Sequence, residues 1–103
     1  MTFSNLANIL KSTGLPVVYR AWPEQKAPPL PYICYLCVGN TPTYADAAVY
    51  FQYAEINVEL YTCSKDPATE ELVEAALQGF HWKKSETYID TERCYQILYE
   101  IEV

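Results

Sequence analysis

The run from Val49 to Cys63 alternates almost without fault, and no other stretch constrains the fold as tightly. Tyr50, Gln52, Ala54, Ile56, Val58 and Leu60 share one parity. Phe51, Tyr53, Glu55, Asn57, Glu59 and Tyr61 share the other. Successive strand side chains point to opposite faces, so this period builds one apolar face and one face of tyrosines and carboxylates. A strand roughly twice the usual length can act as the spine of a sheet. The mixture of aromatics and acids on its polar face suits contact with other protein.

The rest of the chain supplies partners for that spine. Phe3, Leu6, Ala7 and Leu10 form an apolar stripe at helical spacing, which predicts a helix over 2–13 with Thr2 as N-cap and Gly14 as the stop. Val17 to Trp22 is β-branched and aromatic and reads as a strand. Residues 23–31 hold most of the prolines and read as an extended loop. Tyr32 to Val38 is apolar on both parities and reads as a strand covered on both faces. Residues 39–46 read as a loop leading into the long strand. Asp66-Pro67 opens a second helix over 67–78, with Leu72, Val73, Ala76, Leu77 and Phe80 as its buried stripe and Gly79 as its stop. His81–Tyr88 and Arg93–Val103 read as two closing strands. The expected fold is one α+β domain over residues 1–103, in the order α-β-β-β-α-β-β. Its sheet is mostly antiparallel with two helices packed on it. The expected core is Leu6, Leu10, Val18, Ile56, Val58, Leu60, Leu72, Ala76, Ile97 and Tyr99.

At 103 residues and 50 % hydrophobic, the chain has the size and apolar content for one core. Its apolar runs are too short to span a bilayer, and Met1-Thr2-Phe3-Ser4-Asn5 lacks the basic start of a leader, so cytoplasmic synthesis is expected. The net charge of −6 is lopsided. Residues 1–51 carry three basic and two acidic side chains, and residues 52–103 carry four and eleven. Such a balance argues against gripping phosphates, because nucleic-acid binding runs on Lys and Arg displacing counterions. Ten tyrosines suit interfaces, although strands also favour them.

Recognisable catalytic or ligand-binding chemistry is missing. Cys34 and Cys37 have C-x-x-C spacing, but on a strand that spacing places the sulfurs on opposite faces. Cys63 and Cys94 stand alone, so all four read as free thiols, with neither disulfide nor metal. His81 has no partner at ligand or triad spacing. The three glycines are scattered turn residues and form no phosphate loop. Glu55 and Glu59 share a face at about 13 Å, too far for a glycosidase pair. No cofactor or enzyme activity is expected.

Three segments carry a resemblance. They are Pro28-Pro29-Leu30-Pro31-Tyr32 running into a strand, Ala45 to Phe51 (ADAAVYF) entering the long strand, and Tyr61 followed by Lys65-Asp66-Pro67 at the turn into the second helix. With a tryptophan-bearing strand and a YQILYEIEV terminus, the layout resembles the small tail terminator or head–tail joining proteins of long-tailed bacteriophages and prophages over essentially its whole length. The resemblance implies a structural virion protein that forms a ring, usually a hexamer, and caps the tail tube. It implies the tail tube protein and head connector proteins as partners, with DNA passing through the ring without specific binding. It places the protein in the bacterial host cytoplasm during assembly and then in the virion tail. Alternatives are a head-completion or connector protein of the same particle or, from another class, a small bacterial enzyme or regulatory adaptor. Candidate interface or lumen residues are Trp22 and Tyr44 as anchors, with Asp46, Tyr53, Glu55, Glu59 and Tyr61. The extended loops 23–31 and 39–48 would flank them.

Overall fold

The computed structural model describes the backbone of residues 3–23, 27–45 and 48–102, and side chains over 5–23, 27–38 and 55–102. The chain runs α1 (Phe3–Lys11), β1 (Val17–Tyr19), β2 (Tyr32–Ala45), β3 (Ala48–Thr62), α2 (Pro67–Ala76), β4 (Trp82–Ile89) and β5 (Cys94–Glu102). This is the expected α+β order. The five strands form one sheet in the order β1-β2-β3-β5-β4. β1 runs parallel to β2, and every other neighbouring pair is antiparallel.

From Glu55 to Thr62 one parity of the long strand is buried, as its alternation predicts; Tyr50, Gln52 and Ala54 lie outside the described side chains. Ile56, Val58, Leu60 and Thr62 of β3 face inward, while Glu55 is exposed and Asn57, Glu59 and Tyr61 are half-buried. Ile33 and Tyr35 of β2 and Ile97, Tyr99 and Ile101 of β5 share the inward face. Leu6 and Leu10 of α1 and Val73 and Leu77 of α2 close over them. Both helices therefore cover one face of the sheet and leave the other open. The open face carries the opposite parity of each strand.

Four expectations are corrected. Val18 is only half-buried: it pairs with Cys34 on the open face rather than joining the core. β1 stops at Tyr19 because Arg20 takes φ +72, a left-handed conformation uncommon outside glycine. Its backbone N–H donates to Tyr35 O at 2.7 Å, so the last strand contact falls at that bend. The expected loop 39–46 is strand as far as Ala45. β2 continues with register shifts between Cys37 and Gly39 and between Thr41 and Pro42, which absorb a glycine and a proline that read as loop residues. Finally, Leu72 is 49 % exposed and Ala76 half-buried, because α2 is rotated to bury Thr69, Glu70, Val73 and Leu77. The Thr2 cap and Asp46 lie outside the described residues.

The continuation of β2 and β3 has a geometric consequence. β5 pairs with β3 only between Glu55 and Thr62. Beyond Glu55, residues 48–54 pair with β2 alone among the described residues. A two-stranded arm of about 24 Å thus leaves the body of the sheet. The molecule measures 50 × 29 × 23 Å.

Candidate functional site

The open face is organised around its aromatic residues. Tyr32 and Tyr61 are direct cross-strand partners, with ring centroids 5.4 Å apart. The left-handed turn at Arg20 brings Trp22 back over the sheet, edge-on to Tyr32 at 5.7 Å. Trp22, Tyr32 and Tyr61 thus form a row beside Cys34, and the shallow depression around them measures about 420 Å³. The indole Nε1 of Trp22 is buried and finds no acceptor among the described residues.

Polar contacts fix the far end of the row. The Tyr61 hydroxyl donates to Glu59 Oε1 at 3.1 Å and accepts from Gln96 Nε2 at 2.9 Å. Burial, with the Glu59 charge adding to it, pushes the Tyr61 hydroxyl far above the ordinary phenol range against the opposing Gln96 hydrogen bond. Burial and the Glu59 charge also push the Cys34 thiol up to about 11, so it stays protonated at neutral pH. Cys37, by contrast, packs against the helix-side core. The C-x-x-C sulfurs therefore sit on opposite sides of the sheet. None of the four cysteines is in a disulfide, and no group of three or more potential metal ligands forms among the described residues.

Towards the root of the arm the open face turns acidic. Glu55 lies directly opposite Glu102, and Asn57 opposite Glu100. These residues border a cleft of about 580 Å³ with Val38, His81, Trp82 and Lys83. Like charges placed directly opposite across a sheet are destabilising. The expected site residues Glu55, Glu59 and Tyr61 thus share one face with Trp22. Trp22 is half-buried against Tyr32 rather than projecting as a free anchor. The backbones of Tyr44 and Tyr53 lie in the arm, paired with Val49 and Thr41. Their side chains fall outside the described side chains.

The helix side holds a charged cluster that sequence spacing did not reveal. Glu70 is buried, yet it pairs with Lys65 at 2.8 Å and Lys84 at 2.7 Å. Lys84 also reaches Glu74 at 2.7 Å, and Lys65 reaches Glu86 at 2.5 Å. The buried Tyr99 hydroxyl donates to Glu74 Oε2 at 2.8 Å. Burial alone would raise the Glu70 carboxyl, but the two ammonium groups outweigh it and hold the carboxyl below its ordinary range. Burial likewise opposes the charge on Lys84, and Glu70 and Glu74 override it, raising the amine above its ordinary range. This cluster sets the rotation of α2: Glu70 is drawn inward between two lysines and Leu72 is turned out. A pattern search counting only apolar residues cannot find that arrangement.

No protein-family model matches the chain, and no curated protein matches it.

Proposed function

We propose that this chain is a structural assembly protein of a phage or prophage tail, a terminator that caps the tail tube and joins it to the head as part of a ring. The observation that carries the reading is the arm formed by the outer halves of β2 and β3, which pairs with nothing beyond itself among the described residues. A ring of more than two subunits needs two different surfaces on each subunit. A projecting hairpin and a compact sheet body supply surfaces of different kinds. The acidic, aromatic open face adds a second support. A channel that DNA must traverse is favoured by walls that repel phosphate, and Glu55, Glu100 and Glu102 outnumber Lys83, which lies opposite Glu100, so that stretch is net negative. No enzymatic step is assigned. The partners of this reading are further copies of the chain, the tail tube protein and the head connector.

The test is a stop codon early in the gene within the phage or prophage that encodes it, followed by electron microscopy of the particles. The expected result is normal filled heads with tails of abnormal length that are not joined to them. Normal, infectious, tailed particles overturn the reading.

A further inference from the structure

β4 is the last strand of the sheet, and among the described residues no strand pairs with its outer edge. From Trp82 to Tyr88 every residue is exposed. We propose that this edge is a self-pairing surface, on which β4 of a second copy adds antiparallel about a two-fold axis beside Ser85. The inference goes beyond the tail reading and does not rest on it, since it uses only the sequence and geometry of one edge.

Symmetry restricts the register. A two-fold axis relating antiparallel neighbours runs normal to the sheet and keeps each side chain on its own face, so one residue must lie opposite its own copy. With the axis at Lys84 or Lys83, that residue is a lysine facing a lysine. At Glu86 it is a glutamate facing a glutamate. Like charges directly opposite are destabilising. An axis at Thr87 avoids the clash but shortens the paired stretch. The axis at Ser85 places serine against serine on the open side, with Lys83 opposite Thr87 on either hand.

The helix side of the same register is complementary. Lys84 falls opposite Glu86 twice, and Trp82 falls opposite Tyr88 twice. Both charged side chains keep free surface in the monomer, 33 % for Lys84 and 41 % for Glu86. The new pairs therefore extend the cluster around Glu70 without dismantling it. The two aromatics are the exposed large side chains of this strand. Each is already held from below, Trp82 edge-on to Tyr99 at 5.4 Å and Tyr88 against Tyr95 at 5.0 Å. Those ring contacts reduce the ordering cost of meeting a partner, and opposed aromatic pairs are among the better cross-strand contacts. The result is one continuous sheet built from two five-stranded sheets, with the helices of both copies on the same side.

The experiment uses the full chain with Cys63, the exposed cysteine, changed to serine. Sedimentation equilibrium up to millimolar concentration is expected to show a monomer–dimer equilibrium. Ser85→Lys adds a charge that is exposed and harmless in the monomer but faces itself in the dimer. It is expected to weaken dimerisation by at least about fivefold. Under mild oxidation C63S/S85C is expected to form a disulfide-linked dimer. C63S/T87C is not, since its two sulfurs would start from backbones about 14 Å apart, beyond the reach of a disulfide. Circular dichroism and thermal melting identify variants that fold like the parent. A protein monomeric at every concentration, a dimer unaffected by Ser85→Lys, or equal cross-linking through positions 85 and 87 overturns the proposal.

Discussion

Glu70 shows most directly how one residue governs its surroundings. A buried carboxylate between two ammonium groups is stable only while all three charges persist. Its folded pKa lies below the ordinary value, so its contribution is fully present above the unfolded carboxylate range and is lost as pH falls through the folded pKa. Glu74 and Asp66 shift in the same direction and act over the same acid window. Glu70→Gln is therefore expected to lower stability at pH 7 by about 1–3 kcal/mol. The loss stays modest because Lys84 and Lys65 remain partly in water. Thermal melts between pH 7 and pH 3 are expected to show a shallower acid dependence for the variant than for the parent. An unchanged acid limb would mean that Glu70 carries no such linkage. Reactivity separates the thiols in the same way. Cys63 is exposed, Cys94 is buried, and Cys34 is buried with its pKa pushed up. A thiol reagent at pH 8 is expected to label Cys63 quickly and Cys34 and Cys94 only as the protein unfolds. Fast labelling of Cys34 in the native protein would contradict its burial beneath the aromatic row.

At the scale of elements, α2 provides the sharpest comparison. Val73 and Leu77 are fully buried, whereas Leu72 points outward. Leu77→Ala is expected to cost about 2–5 kcal/mol, while Leu72→Ala stays within about 0.5 kcal/mol, as judged by urea denaturation. A large loss at Leu72 would return the helix to the rotation its apolar stripe alone suggests. The N-cap gives a third point on the same helix. Asp66 accepts from the Thr69 backbone N–H at 3.2 Å and from its hydroxyl at 2.6 Å, so Asp66→Ala is expected to lower the urea midpoint, by less than Leu77→Ala does. This helix also marks the limit of what the sequence discloses. Its existence, cap and length were legible because Asp66-Pro67 and the periodic apolar residues are local signals. Its rotation was not, because it depends on Lys84, which reaches Glu70 only once β4 has folded beside α2. The long strand was legible for the opposite reason: alternation from Ile56 to Leu60 carries the register and the face within one segment. The site divides along the same line. Glu55, Glu59 and Tyr61 were placed together by parity. The return of Trp22 across the sheet depends on a left-handed Arg20, which no glycine or asparagine announces.

Across the whole molecule, the acids divide between the two sides of the sheet: Glu70, Glu74 and Glu86 pair with lysines on the helix side, while Glu55, Glu100 and Glu102 crowd the open face near the root of the arm. Glu55 and Glu102 are forced opposite each other by a register that the buried Ile56–Ile101 pair fixes on the adjoining position. The isolated domain gains nothing from this pairing, since like charges opposed across two strands cost a few tenths of a kcal/mol. Proteins retain such costs where a surface serves something other than its own stability. The double variant E55Q/E102Q removes the repulsion and leaves shape and hydrogen-bonding capacity close to the original. It is therefore expected to melt slightly higher than the parent in dilute buffer. The gain should vanish at about 1 M salt, where exposed charges a few ångström apart are largely screened. A variant that melts lower in dilute buffer would show the two carboxylates held by favourable partners within the monomer. Under the tail reading proposed above, the same substitutions in the phage or prophage would probe the use of the face. If it lines the path of DNA, heads and tails should still assemble while infectivity falls. Unimpaired infection from a folded double variant would free these acids from any part in DNA passage.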